Sequence, residues 1–335
     1  MNSYRIKELI SEKITGEWGI EPSNHNRVKV LRTTNFTNSG KINFDKVVER
    51  DISKSLVEKK KLLFGDIIIE KSGGGPTQPV GRVVIFDYKS GENYLCNNFT
   101  TILRTKENVF PKYLFYLLFN NHLTKKTLNF QNKTTGILNL QLDRYLNEKI
   151  TLPPLSEQKR ITEILDKADS VRQKRKESIA LLDEFLKSVF IDMFGDPVKN
   201  EKGFQTVKIN GIAKVSMGGT PNTNVAEYYG GNINWMKSGD IKRDFIYSVN
   251  NKITELTTIL KLNTASNQSV ACFELNKKLI IPIYLHFNLK LRYKELRNIT
   301  GDGERSGLNL TILRSLKLNL PPIPLQTQFA KIVER

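Results

Sequence analysis

The longest regular pattern of apolar and polar positions lies in the middle of the chain. After Pro153 and Pro154, Ser156 can cap a helix and Glu157 adds an acid to its first turn. Neither Gly nor Pro then occurs until Gly195, which begins a Gly-Asp-Pro stop signal. The pattern therefore predicts one helix of about 39 residues, roughly 58 Å long at 1.5 Å per residue.

One face of this helix carries apolar residues at spacings of three and four, with an interruption at Arg175 and Ser178. A single long helix has no core of its own, so this face predicts contact with a protein partner. The residues predicted to bind that partner are Ile161, Ile164, Ala168, Val171, Leu182, Phe185 and Val189.

The segments before and after the helix resemble each other. Leu-Pro-Pro occurs at residues 152–154 and again 168 residues later at 320–322. The fronts of the two copies, residues 4–10 and 205–212, match with an offset of about 201 residues. The second copy is therefore expected to be about 33 residues shorter. Gln158 and Gln328 both precede an apolar helical stripe, although the strict spacing pairs Gln158 with Gln326.

Shorter patterns within each copy predict a mixture of strands and helices. The predicted strands are residues 28–31, 66–70 and 80–86, the last two joined by a glycine turn at 72–76. The predicted helices are residues 113–123 and 279–291. Only residues 251–262 occupy the place of the strand pair in the second copy, which predicts a less stable domain.

The expected fold class is α+β, with two globular domains separated by a long coiled-coil-type helix. The predicted segments are a first domain at 1–151, the helix at 152–197, a shortened second domain at 198–319 and the start of a second helix at 320–335.

Charge adds a functional clue. The chain has 52 Lys and Arg against 34 Asp and Glu, a formal net charge of +18. Residues 1–150 and 201–335 each carry +9, whereas residues 151–200 are neutral. Two basic domains predict a polyanionic partner, in the simplest case nucleic acid. The alternative is a general preference for lysine in this protein's genome.

Location and membrane contact follow from other counts. No apolar run approaches the ~18 residues of a membrane span, so no membrane is predicted as a partner. Cys96 and Cys272 lie far apart in sequence and fit a reducing compartment, so we expect a cytoplasmic location.

The search for catalytic motifs predicts no cofactor and no metal. The chain has no phosphate-binding GxxxxGK[ST] loop and no GxGxxG fingerprint, and its three histidines lack metal-ligand spacing. Asp66, Glu70 and Lys71 come nearest to a nuclease centre. Strand alternation, however, puts the two carboxylates on one face and Lys71 on the other. Lys71 is better suited to contact a phosphate or a base.

Polar side chains near loops suggest where DNA would bind. Arg, Lys, Gln, Asn and Thr are the side chains that hold phosphates and read base edges, although a solvated polar loop has the same composition. There are three such groups. One follows the strand at 28–31, a second surrounds the glycine turn, and a third lies beside Trp235. The candidate DNA-binding residues are Arg32, Thr33, Thr34, Asn35, Lys71, Ser72, Thr77, Gln78, Arg82, Lys237, Ser238 and Lys242.

Two stretches carry a resemblance to a known family. The sequence from TLPPLSEQKRITEIL to FIDMFGDP resembles the central conserved region of type I restriction–modification specificity (S) subunits. GGTP at 218–221, followed by EYYGGNINW at 227–235, resembles the start of a target-recognition domain in that family. The internal repeat is similar to the family's architecture, and the resemblance covers nearly the whole chain.

The resemblance implies a function and a set of partners. In this family each recognition domain reads one half of a bipartite site in double-stranded DNA, and the helices dock methyltransferase (M) subunits, which a restriction (R) subunit joins. The S subunit itself has no catalytic centre. Because the second helix stops at Arg335, we expect a truncated form in which the central helix self-associates. The alternatives are a stand-alone DNA nuclease or methyltransferase, or a protein that sequesters M subunits without reading DNA.

Overall fold

A computed structural model describes residues 2–22, 27–75, 78–89, 91–134, 137–241, 249–253, 264–300 and 308–334. The chain forms two compact units, Met1–Lys174 and Arg175–Arg335, and the division falls inside the long helix. The domain boundaries expected from the sequence stay predictions. Within the described residues, no helix is both long enough and apolar enough to cross a membrane.

The first unit mixes short strands with helices. Its strands are β1 (Asn2–Arg5), β2 (Ile10–Thr15), β3 (Arg27–Leu31), β4 (Val48–Asp51), β5 (Ile67–Glu70), β6 (Ser72–Gly74), β7 (Val83–Ile85), β8 (Tyr94–Cys96), β9 (Thr100–Thr105), β10 (Gln131–Thr134), β11 (Ile137–Leu140) and β12 (Lys149–Leu152). Its helices are α1 (Lys54–Lys60), α2 (Pro111–Leu123), α3 (Leu142–Leu146) and the first part of α4 (Leu155–Phe194).

Four small sheets organise these strands. β2, β9, β5 and β7 form an antiparallel sheet in that order, with β5 and β7 fully buried. β3 pairs antiparallel with β4 and parallel with β8. β1 pairs with β12, and β11 lies between β10 and β6. Helix α2 packs on the four-stranded sheet through Leu114, Phe115 and Leu118, and these residues form part of the hydrophobic core of the first unit.

The second unit uses fewer strands. They are β13 (Gln205–Lys208), β14 (Ala213–Met217), β15 (Tyr229–Met236), β16 (Lys252–Ile253), β17 (Thr264–Ser266), β18 (Ala271–Leu275) and β19 (Lys317–Leu320). The helices are the rest of α4, α5 (Pro282–Leu291), α6 (Tyr293–Thr300), α7 (Leu310–Ser315) and α8 (Ile323–Val333). The α+β prediction is therefore confirmed in both units.

The strand order repeats from one unit to the other. β15 pairs antiparallel with β16 and parallel with β17, as β3 does with β4 and β8. β13 pairs with β19 as β1 does with β12. Asn2 and Gln205 occupy equivalent positions, as do Leu152 and Leu320, so the copies are offset by 203 residues at the front and 168 at the back. The second copy is thus 35 residues shorter, close to the 33 expected.

A glycine occupies the same place in both copies. A Cβ on Gly16 would overlap the carbonyl oxygens of Cys96 and Asn97, just beyond the end of β2. A Cβ on Gly218, just beyond β14, would overlap the carbonyl oxygen of Ser266 in the same way. Only glycine permits this close approach of two backbones, which explains the first glycine of the GGTP motif.

The described part of the second copy differs from the first in the strands that flank β9 and its equivalent. In the first unit β9 pairs with β2 on one side and β5 on the other. The equivalent strand β18 pairs with β14 in a two-stranded sheet, and the described strands of the second unit include no counterpart of β5 and β7. Residues 254–262, part of the segment expected in their place, lie outside the described residues.

The long central helix is confirmed, with 40 residues in α4. It ends where Gly195 adopts the left-handed conformation (φ 73°) that favours glycine after a helix. Its last turns carry Phe190 and Phe194 into an aromatic cluster with Tyr284 and Phe329, where all four rings are buried. The C-terminal end of α4 is therefore part of the core of the second unit.

A buried glutamine lies in the first turn of the helix that follows each Leu-Pro-Pro. Gln158 Oε1 accepts from the Phe110 N–H (2.8 Å), and its Nε2 donates to the Pro153 carbonyl (2.9 Å). Gln326 repeats this with the Ile281 N–H (2.8 Å) and the Pro321 carbonyl (2.7 Å). The structural equivalent of Gln158 is therefore Gln326, as the strict spacing indicates, and not Gln328.

The glycine turn differs from its prediction. Ser72 and Gly74, expected in a turn, lie in strand β6 and pair with Asn139 and Leu138 of β11. The short chain reversal is instead closed by Gly75 and Gln78, whose backbones exchange two hydrogen bonds. The glycines thus add an edge strand before the chain returns to β7.

Candidate nucleic-acid interface

Two matching turns follow equivalent strands of the two units. We call residues 32–35, after β3, the first turn and residues 237–240, after β15, the second turn. In the first turn the Arg32 N–H donates to Asn35 Oδ1 (2.9 Å) and the Asn35 N–H to the Arg32 carbonyl (2.8 Å). In the second turn Lys237 and Asp240 make the same two bonds, each of 2.9 Å. A short 3-10 segment, Thr33–Asn35 or Ser238–Asp240, results in each unit.

The first turn presents some of its side chains and buries others. Asn35 is only 2% exposed, because its Nδ2 also donates to the Asn43 carbonyl (2.9 Å). Arg32 is half-buried and donates to the Lys46 carbonyl (3.2 Å), whereas Thr34 is exposed. Asn35 therefore shapes the turn, and Thr34 is the side chain free to meet a ligand.

Arg82 connects the first turn to the end of strand β5. Its guanidinium donates to the carbonyls of Thr33 (3.1 Å, from Nη2) and Phe36 (3.2 Å, from Nη1). It also makes a bidentate ion pair with Glu70, with distances of 2.9 and 2.8 Å. The Arg82 and Glu70 side chains are 11% and 3% exposed. Arg82 was expected to contact DNA, but the structure commits its guanidinium to protein groups.

The contacts of Arg82 join two of the predicted groups of DNA-binding residues, the group that follows β3 and the group around the glycine turn. Lys71 directly follows β5, and Ser72 begins β6 with its hydroxyl donating to Asn139. Gln78 is exposed at the chain reversal. The ring of Phe99, 43% exposed, lies against Gly73. The contacts of Arg82 thus join the first turn to the end of β5, and the exposed polar side chains of these two groups include Thr34 and Gln78.

Lys71 has an electrostatic environment suited to an anion. Burial lowers the pKa of its ammonium group; neighbouring Lys13 and Lys60 act in the same direction, and the Cys96 thiol opposes them. Lys13 and Lys60 are themselves paired with Asp143 and Glu17. No carboxylate pairs with Lys71 among the described residues. A phosphate would supply the missing negative charge.

The two carboxylates considered for nuclease chemistry are held by separate arginines. Asp66 receives Nε and Nη2 of Arg104 at 2.9 Å each, and Glu70 receives Arg82. Both carboxylates are 2% exposed as whole residues. In the part of the chain that the structure describes, no three His, Cys, Asp or Glu side chains are grouped to hold a metal. Asp66 and Glu70 therefore each form an ion pair inside the protein.

The second turn rests on an aromatic ring. Lys237 Nζ lies 4.7 Å from the centroid of the buried Trp235 ring, a cation–π geometry. Trp235 Nε1 donates to the Gly219 carbonyl (3.3 Å), and Ser238 is exposed. Two other predicted DNA-binding residues, Thr77 and Lys242, lie outside the described residues.

The predicted partner-binding face of α4 is mostly exposed. Ile164, Val171, Leu182 and Phe185 are 53–55% exposed. The remaining members are the exposed Ala168 and the half-buried Ile161 and Val189. A run of exposed large apolar side chains along one helix face is typical of a surface that contacts another protein. The sequence search omitted Ile179 and Leu181, two further large apolar residues of α4 that are also exposed.

Sequence reasoning also missed Glu70 as part of the interface and treated it only as a nuclease candidate. The signal available was a carboxylate at the end of an apolar strand with an arginine 12 residues later across the predicted hairpin. Asp240 was not among the predicted residues, although it caps the second turn as Asn35 caps the first. Aligning the two turns by their strand order reveals that match.

Comparison with known proteins agrees with the repeat. The sequence model of the family described as "Type I restriction modification DNA specificity domain" matches residues 3–181 and 201–335. The chain is 22% identical over 317 residues to a protein of Methanocaldococcus jannaschii assigned as the type I restriction enzyme MjaX specificity subunit. That alignment covers 84% of this chain and 73% of the relative.

Two further matches are shorter or structural. The MjaVIII specificity subunit of the same organism is 35% identical over 100 residues, which is 30% of this chain and 23% of that protein. The crystal structure of the type I restriction–modification S subunit from M. genitalium superposes with a TM-score of 0.59 and 14% identity. It covers 99% of this chain and 88% of that one, and the likeness is one of fold.

Proposed function

Because this chain belongs to the family of type I restriction–modification DNA specificity domains, we propose that it reads DNA sequence through the first and second turns. The observation that carries this proposal is the repetition of one hydrogen-bonded turn at the same place in both units. Each turn begins with a basic residue, Arg32 or Lys237, and presents one exposed hydroxyl side chain, Thr34 at the third position of the first turn and Ser238 at the second position of the second turn. A repeated reader suits a DNA site in two parts.

The exposed polar side chains near the turns can hydrogen-bond to base edges, and the net positive charge of the chain favours contact with phosphates. Hydroxyl and amide side chains hydrogen-bond to bases in the grooves, whereas Lys and Arg hold the backbone. Thr34 and Gln78 are the exposed candidates for base contact in the first unit, and Lys71 is the candidate for a phosphate. The formal charge of +18 supports association with DNA as a whole.

We further propose that α4 docks M subunits and that an R subunit joins them. The neutral central segment and its exposed apolar side chains favour protein over DNA as the ligand of this helix. In such a complex the other subunits carry the catalytic steps. This chain supplies recognition, which agrees with the arginine-bound state of Asp66 and Glu70.

Selection of DNA from a random library tests the proposal. The full chain, purified with its M subunit, should enrich one sequence motif. Thr34→Ala and Gln78→Ala should each relax one motif position by ~1–3 kcal/mol. Thr151→Ala, an exposed threonine on β12, is the matched control and should leave the motif unchanged. Enrichment of no motif by the wild-type complex would contradict the proposed function.

A further inference from the structure

The Arg82–Glu70 pair touches one backbone carbonyl of the first turn and the carbonyl of Phe36, the residue that follows the turn. Arg82 Nη2 donates to the Thr33 carbonyl and Nη1 to the Phe36 carbonyl, so the guanidinium spans the turn. Glu70 holds Arg82 Nε and Nη2 from the opposite side. Because a guanidinium is planar, fixing it at Glu70 also fixes the direction of its two bonds to the turn.

Burial makes this arrangement rigid. The side chains of Arg82 and Glu70 are 11% and 3% exposed, and both are anchored near β5 and β7 inside the four-stranded sheet. Phe36, whose carbonyl is held, is itself 5% exposed and lies beneath the guanidinium, with its ring centroid 5.9 Å from Arg82 Cζ. Thr34, between the two held carbonyls, thus projects from backbone that the sheet positions directly.

We infer that Arg82, oriented by Glu70, is a positioning residue that determines the DNA specificity of the first unit by fixing the first turn. The inference rests on the proposed function. Arg82 acts through the turn and not through a contact with a base. Reading a base edge requires a side chain held to within about half an ångström, whereas a phosphate contact tolerates more movement. Loss of the pair should therefore reduce discrimination more than affinity.

The same sheet provides a matched control. Arg104 makes a bidentate pair with Asp66, at the other end of β5, with 2.9 Å for both bonds. The Arg104 and Asp66 side chains are 21% and 2% exposed, so the two pairs are similarly buried. The other partners of Arg104 are the Lys61 carbonyl and Glu12, neither of which belongs to the first turn. A general loss of stability should follow from changing either arginine, but altered recognition only from changing Arg82.

The test compares Arg82→Lys with Arg104→Lys in the full chain with its M subunit. Lysine keeps the charge but loses the planar fork. Affinities for the selected DNA and for each single-mismatch DNA give a discrimination ratio at every motif position. We expect Arg82→Lys to lower this ratio about tenfold in one half of the motif. Arg104→Lys should leave every position within about twofold.

Amide exchange gives a second readout that does not depend on DNA. The Asn35 and Phe36 N–H groups close the first turn through bonds to Arg32 and Thr33. Their exchange should be faster in Arg82→Lys and unchanged in Arg104→Lys. If Arg82→Lys does not fold, Glu70→Gln replaces it in both measurements, the discrimination ratio and the amide exchange. This change keeps the side-chain shape and removes the charge.

The outcomes separate this inference from the proposed function. A folded Arg82→Lys complex that keeps full discrimination overturns the inference and leaves the proposed function standing. Equal loss of discrimination in the Arg82 and Arg104 variants also overturns it, since the effect would then be one of general stability. A wild-type complex that selects no motif overturns the proposed function and with it this inference.

Discussion

At the scale of single residues, Lys71 gives the sharpest test of how the protein holds the DNA backbone. Its ammonium group is half-buried, and neighbouring lysines add to the cost of its charge. We expect Lys71→Ala to weaken binding equally for all DNA sequences. It should also reduce the slope of log affinity against log salt by about 0.9, the effect of one lost phosphate contact.

The control for Lys71 is Lys29→Ala, because Lys29 is already paired with Glu92 (2.6 Å). Binding measured by fluorescence anisotropy across a range of salt concentrations gives both slopes. A loss of affinity confined to particular sequences would show that Lys71 reads a base instead. An unchanged slope would remove it from the interface.

The stability of the protein is expected to depend on pH through His122, whose imidazole interacts with the charges of Glu70 and Arg82. Burial lowers the pKa of its imidazole below 6.5, Glu70 opposes this and Arg82 reinforces it. The unfolded chain therefore takes up a proton near pH 6.5 that the folded chain binds only at lower pH, so acidification through this window favours unfolding. We expect His122→Gln to weaken the loss of unfolding free energy below about pH 6.5. Urea unfolding at several pH values measures it, and identical pH dependence in both proteins would contradict it.

Residue type could be predicted from the sequence more readily than residue role. Arg32, Asn35 and Arg82 have the chemistry of DNA-binding residues, yet their described side-chain hydrogen bonds are with other groups of the protein. Donors that suit a base suit a buried backbone carbonyl equally well. Only the fold decides between them, because Arg82 meets Thr33 across 49 residues of chain.

At the scale of elements, the central helix combines an anchored end with an exposed middle. Phe190 and Phe194 are buried in the second unit, whereas Leu182 and Phe185 are 55% and 54% exposed. Replacing Leu182 and Phe185 together with Ala should change the free energy of unfolding by less than about 0.5 kcal/mol per residue. Binding to the M subunit or self-association should weaken at least about tenfold.

Glu184→Ala with Lys187→Ala is the matched control, because both residues are exposed on other faces of the same helix. Analytical ultracentrifugation with and without the M subunit measures assembly. Intact assembly together with lost DNA binding would show that this face of α4 serves DNA and not a protein partner.

Elements were predicted well where one periodicity runs without interruption. The central helix was expected over about 39 residues and has 40, because its start and stop signals are local. The glycine-rich segment was misread because strand β6 depends on pairing with β11, more than 60 residues away. Sequence near a glycine run indicates a bend but not a distant strand that pairs with it.

At the scale of the whole molecule, the two units differ in how their sheets are completed. β9 is paired on both edges, whereas β18 pairs with β14 among the described strands. A strand paired on one edge opens more easily, so we expect amides of β18 to exchange faster than those of β9. Hydrogen exchange with peptide-level resolution compares the two directly. Equal protection would contradict the prediction of a weaker second unit.

The repeat itself could be predicted from the sequence, because Leu-Pro-Pro and the opening segments at 4–10 and 205–212 recur with simple offsets. The equivalence of the first and second turns could not, since Arg-Thr-Thr-Asn and Lys-Ser-Gly-Asp share little beyond a leading basic residue and a capping acceptor. Their match lies in strand order and hydrogen bonds. The proposed reading of DNA by both turns predicts a DNA site with two parts.

Methylation mapping in cells that carry this chain with its M subunit tests that central claim most directly. We expect one methylated motif with two separate specified parts, the part read by the first unit being the more strictly defined. Thr34→Ala should relax a position in that part and leave the other unchanged. A motif that is unaffected by changes in both turns, or genomic DNA without any methylation that depends on this chain, would contradict the account.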